Sequence, residues 1–122
     1  MTIIAAGRAA ALAEDAADEL AKQGNRGAVE VVSLGFIKPL DKETILASAR
    51  KTGRVIIVHE AVKRGGVGGD IAAMLMEEAY DDLDGPVVRI AGRNTPIPYN
   101  LAIEKACIPS VEEIIAGVLR MV

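Results

Sequence analysis

Aromatic side chains are almost missing from this chain: of 122 residues one is Phe, two are Tyr and none is Trp. A core without large rings has to be filled by aliphatic side chains, and Ala, Val, Ile, Leu and Met carry most of the 51% hydrophobic content. Cysteine and histidine are just as scarce. The single Cys107 excludes an intrachain disulfide and a multi-cysteine zinc site. The single His59 excludes a His-rich metal site and leaves any Ser–His–Asp arrangement one possible base. No Gly-x-Ser-x-Gly elbow occurs, which argues against a serine hydrolase. Positive charge is in deficit as well, 14 Lys and Arg against 17 Asp and Glu, for a net charge of −3. No Lys/Arg cluster is long enough to track a phosphate backbone, so nucleic acid is not an expected partner. No apolar run approaches the roughly 18 residues that span a bilayer, and the N-terminus lacks the basic and apolar regions of a signal peptide. The expectation is no membrane association and a cytoplasmic setting, or an organellar matrix if a leader has been removed.

What is present is a regular alternation, read here as one domain over residues 1–122. Ile3 to Ala6, Val29 to Leu34, Val55 to Val58 and Val87 to Ile90 are short and rich in Val and Ile, as strands are. Helical spacing lies between them. Ala9, Leu12, Ala13, Ala16 and Leu20 make one apolar stripe, with Glu14, Asp15, Asp18, Glu19 and Lys22 opposite and Gly24 placed to end the helix. A second helix is expected from the capping Asp41 to Arg50 and Lys51 before Gly53, a charge order that suits the dipole. A third is expected from about Asp70 to Tyr80. The last begins at Ser110-Val111-Glu112-Glu113, a capping box, and buries Ile114, Ile115, Val118 and Leu119. The stretch from Asn94 to Cys107, broken by Pro96 and Pro98, reads as an ordered surface loop.

Strands separated by helices require crossover connections, hence an open, mainly parallel sheet with helices on both faces. Val55 to Val58 is apolar on both faces, as an inner strand should be, whereas Glu30, Ser33 and Arg89 interrupt the second and fourth strands. The order 2-1-3-4 satisfies both observations. It puts the topological switch between the first and third strands, where open parallel sheets bind ligands.

That switch point offers Arg8 after the first strand and His59-Glu60 after the third, a set suited to acid–base chemistry. The plainer reading is that His59 and Glu60 end a strand and orient the next loop through backbone hydrogen bonds. Gly65-Gly66-Val67-Gly68-Gly69 opens a helix and invites a phosphate, yet counting from Gly66 the third fingerprint glycine would fall at Ile71. A tight turn that lets the helix pack closely on the sheet accounts for it better. Glu77, Glu78, Asp81, Asp82 and Asp84 form an acidic run, either a solvated face or a surface for a basic partner. Cys107 beside Ile108 reads as a small hydrophobe.

Several of these segments carry a resemblance. Gly92-Arg93-Asn94-Thr95-Pro96-Ile97-Pro98-Tyr99, Glu104-Lys105 and Pro109-Ser110-Val111-Glu112-Glu113, taken with Val58-His59-Glu60 and Lys38-Pro39-Leu40-Asp41, resemble the C-terminal domain of the transketolase superfamily. The nearest likeness is to the β subunit of the thiamine-diphosphate-dependent decarboxylase of 2-oxo-acid dehydrogenase complexes. Leu34-Gly35-Phe36-Ile37 departs toward 1-deoxyxylulose-5-phosphate synthase.

The resemblance implies a three-layer α/β/α sandwich whose mixed five-stranded sheet has an antiparallel strand ahead of Thr2. It implies an association and docking role, with an α subunit and an acyltransferase core as partners and a homo-oligomer expected. Thiamine diphosphate and magnesium belong to the parent enzyme, which oxidatively decarboxylates a 2-oxo acid. This chain has neither the cofactor-activating pyrimidine-binding domain nor a Gly-Asp-Gly diphosphate motif, so no catalytic, cofactor or metal residue is assigned to it. His59, Glu60, Arg64, Arg93 and Tyr99 are the interface or channel candidates. The edge of the second strand (Val29, Val31 and Ser33), left open where the family's first strand would lie, is a template for association. Two other readings are a small-ligand module using the switch-point crevice and a trimmed fragment that only folds.

Overall fold

The computed structural model describes residues 1–24 and 29–122. Among them, β1 (Thr2–Ala6), β2 (Glu30–Leu34), β3 (Val55–Val62) and β4 (Val88–Gly92) form one parallel sheet in the order β2-β1-β3-β4. This is the expected order. Both central strands are apolar on alternate sides, which demands cover on each face. Ile3, Ala5, Ile56 and Val58 pack against α1 (Arg8–Lys22) and α5 (Val111–Met121). Ile4, Val32, Leu34 and Ile57 pack against α2 (Lys42–Thr52) and α3 (Val67–Glu78). The result is the α/β/α sandwich.

Small side chains set the spacing of the first layer. Ala9, Ala13 and Ala16 of α1 are fully buried, so the helix sits close on the sheet without aromatic filling. On the other face a polar link ties β1 to α2: the buried Thr2 hydroxyl lies 2.7 Å from Ser48 Oγ and 2.8 Å from Thr52 Oγ1. The ends of α2 follow their local signals. Asp41 Oδ1 accepts from Thr44 N at 3.1 Å, and Gly53 closes the helix in the left-handed region at φ 68°. The capping box of α5 forms in both directions, Glu113 N to Ser110 Oγ and Ser110 N to Glu113 Oε2.

Three expectations need correcting. The third helix starts at Val67, not near Asp70, with Gly66 as an extended cap. Gly68 enters the helix despite poor propensity because the space its side chain would occupy is already filled, as described below. The Asn94–Cys107 stretch is not all loop: Leu101–Cys107 is a helix, α4. Asn100 Oδ1 accepts from the amides of Ala102 and Ile103 at 3.0 and 3.4 Å. The prolines that suggested a loop all lie outside it, and Glu104 and Lys105 have the charge order a helix favours. β3 also runs beyond Val58 to Val62, with a bulge between His59 and Val62 against β4.

Candidate functional site

Three features merit a functional reading: the His59 cradle at the end of β3, the arm from Pro96 to α4, and the open edge of β2.

His59 is 3% exposed. Its ring faces the start of α3, and the glycines there are fitted to it. A Cβ built on Gly66 would lie 2.7 Å from His59 Cε1, and one on Gly68 2.7 Å from Cδ2 while overlapping Nε2. Nδ1–H donates to Ala61 O at 3.0 Å, which leaves Nε2 as the bare nitrogen, buried and without a hydrogen-bond partner. Burial holds the imidazole below its ordinary value, and the Arg89 charge acts the same way against the raising effect of the Ala61 carbonyl. The glycine run is therefore a packing device around a neutral histidine. Glu60 is half-buried beside it and Arg8 is exposed. Among the described residues no hydrogen bond or ion pair joins Arg8, His59 and Glu60.

The neighbouring loops are tied together instead. Arg64 N donates to Asn94 Oδ1 at 2.9 Å, which fixes the β3–α3 turn to the segment after β4. Arg93 N donates to Cys107 O at 2.8 Å, and its side chain reaches Glu113 of α5 at 3.8 Å. These bonds bring Arg64 and Arg93 to adjacent loops at the C-terminal end of the sheet and anchor both ends of the arm.

The arm itself is apolar and uncovered. Tyr99 is wholly exposed, Leu101 is 73% exposed, and Ile97 and Ile103 are also exposed. No residue of α4 is buried. A helix this short is marginal in water by itself, and here only Glu104 and Cys107 are partly covered by the body of the domain. Sequence reasoning singled out Tyr99 but missed Leu101 and Ile103. The available signal was apolar residues just after the capping Asn100.

At the opposite side, β2 pairs with no strand but β1 among the described residues. Glu30 N donates to Met1 O, so by strand alternation Val31 and Ser33 turn their N–H groups outward. Ser33 is exposed, Val29 and Val31 are partly buried, and Phe36 stands 75% exposed beyond the strand end.

Comparison with known proteins gives a consistent picture. The family model "Transketolase, C-terminal domain" matches residues 1–114. The mitochondrial pyruvate dehydrogenase E1 component subunit beta-2 of Oryza sativa subsp. japonica is 39% identical over 120 residues, covering 98% of this chain and 31% of that protein. The pyruvate dehydrogenase E1 component subunit beta of Rickettsia bellii is 42% identical over 110 residues, 90% of this chain and 33% of that one. Among solved structures, a split-gene transketolase described as an inactive beta4 tetramer superposes with a TM-score of 0.79 at 30% identity, covering 98% of this chain and 37% of the other. The chain thus spans about a third of the length of these relatives.

Proposed function

Because the chain belongs to the transketolase C-terminal domain family, we propose that it is the association and docking domain of a 2-oxo-acid dehydrogenase decarboxylase β subunit. The observation that carries this reading is the arm: Ile97, Tyr99, Leu101 and Ile103 are exposed on a segment whose ends are held firmly but whose helix buries nothing. Covering each such side chain contributes about 1.5–3 kcal/mol before the cost of association is subtracted. The open edge of β2, with Val29, Val31 and Ser33, supplies a second place for another chain to pair. The partners are a second copy, the parent enzyme's α subunit and its acyltransferase core. Arg64 and Arg93 hold the ends of the arm, while His59 and Glu60 lie behind them at the end of β3.

The parent enzyme oxidatively decarboxylates a 2-oxo acid, with thiamine diphosphate supplying the carbanion chemistry when bound. In this chain the start of α3 is filled by His59 instead of lying open for a diphosphate. The relatives include mitochondrial and bacterial proteins, and no helix among the described residues is long and apolar enough to cross a membrane.

Light scattering over about a hundredfold concentration range tests the proposal. The expected mass rises above 12.8 kDa with concentration and returns to it when Leu101 and Ile103 are both replaced by Asp. A wild-type chain that stays monomeric throughout would overturn the association role.

A further inference from the structure

A third surface lies apart from the arm's apolar face and the β2 edge. Between the outer edge of β4 and α5 runs a cleft of about 400 Å³, within the range that holds small molecules. Lys63, Arg93 and Arg120 line it against one carboxylate, Glu113. Arg89, between Val88 and Ile90 on the strand, turns its guanidinium to the other face of the sheet, toward α3. Three cations share this cleft on a chain whose net charge is −3. Glu113 does little to neutralise them. One of its oxygens is taken by Ser110 N in the capping box, and the other stands 3.8 Å from Arg93. Lys63 and Arg120 make no ion pair among the described residues.

The two arginines of the cleft are also held in place. Arg93 Nε donates to Ala106 O at 3.4 Å and Arg120 Nε to Ala116 O at 3.2 Å, while Arg89 Nη1 holds the Lys63 carbonyl at 3.0 Å. Each guanidinium spends one N–H on a backbone carbonyl and keeps the others. Tethering lowers the entropy lost when a ligand is clamped, and the planar fork suits phosphate or carboxylate oxygens. The cleft is also bounded where Arg93 N bonds to Cys107 O, so an extended peptide cannot run on along β4 past that point.

We propose that this cleft binds a small polyanion, a molecule carrying two or more phosphate or carboxylate groups, with Lys63, Arg93 and Arg120 as its cationic contacts.

The test follows the amide shifts of Ala91, Gly92 and Asn94 in the isotope-labelled chain while inorganic pyrophosphate or citrate is added at constant ionic strength. Saturable shifts confined to these positions are expected. The affinity should weaken about tenfold or more in the Lys63→Ala, Arg120→Ala double variant and stay unchanged in Lys22→Ala, which lies on α1. Both replaced side chains are exposed, and Lys63→Ala alone serves if the double variant does not fold. Tighter binding of pyrophosphate assigns a phosphorylated ligand and tighter binding of citrate a polycarboxylate; either supports the proposal. Shifts that never saturate, equal binding by the double variant, or a hexaglutamate peptide that binds more tightly than both small anions would overturn it.

Discussion

At the residue scale, His59 and the glycines around it show how one side chain dictates its surroundings. Gly68 sits inside α3, where Ala would be favoured by about 1 kcal/mol on propensity. A methyl group there would overlap His59 Nε2 and come within 3.3 Å of Ile57 Cγ2. His59 is itself locked by Ala61 O and cannot swing aside without losing that bond. Overpacking therefore wins, and Gly68→Ala should destabilise the domain by about 1–3 kcal/mol, read as a lower urea midpoint. Restored stability in the Gly68→Ala, His59→Ala double variant would identify the clash as the cause.

The same histidine makes stability depend on pH. Its folded value lies below the ordinary 6.5, so over the window between the two the unfolded chain binds more protons than the folded one. Its stabilising contribution is fully present above pH 6.5 and is lost as pH falls through the folded value. The slope from this group approaches about 1.4 kcal/mol per pH unit at most. Thermal melts from pH 7.5 down to pH 5 check this: the wild type should lose stability more steeply than a folded His59→Asn variant. Parallel curves would remove His59 as the source.

At the element scale, the ends of the helices are decided locally and their burial is not. α5 is entered through the reciprocal bonds of Ser110 and Glu113, so Ser110→Ala should cost about 1 kcal/mol in thermal unfolding. α4 is capped at least as clearly by Asn100, yet nothing packs over it. Capping and charge order explain how this helix can start and stop; the exposed Leu101 and Ile103 are what the proposed contact with another chain would cover. Reading Pro96 and Pro98 as marks of a loop throughout missed it, because both precede the cap and leave residues 101–107 free to coil.

At the scale of the whole molecule, the sheet has two free edges of different character. β4 is flanked by the cationic cleft, while β2 offers Val31 and Ser33 N–H groups to whatever lies beside it. Hydrogen exchange distinguishes an edge that is used from one left open. If β2 pairs with another copy, the Val31 and Ser33 amides should be protected at high concentration and lose protection on dilution. Protection no greater than that of loop amides at any concentration would leave the arm as the only association surface.

The alternation of short Val/Ile runs with amphipathic stretches determined the parallel sheet, its strand order and the two helical layers, since period and burial are properties of neighbours in the chain. The caps at Asp41, Gly53 and Ser110 were legible for the same reason: each satisfies backbone groups within a few residues. What lay beyond the sequence was everything that depends on distant segments meeting. His59 looked available at a switch point, and tertiary packing closed it in by laying Gly66 and Gly68 over its ring. Lys63, Arg93 and Arg120 carry no shared local pattern; the β3–α3 turn, the segment after β4 and helix α5 converge to make them one cleft. Local periodicity determines which faces must be buried. Only the folded chain decides which polar groups end up sharing a surface, because their spacing there is set by how the layers stack and not by their order in the sequence.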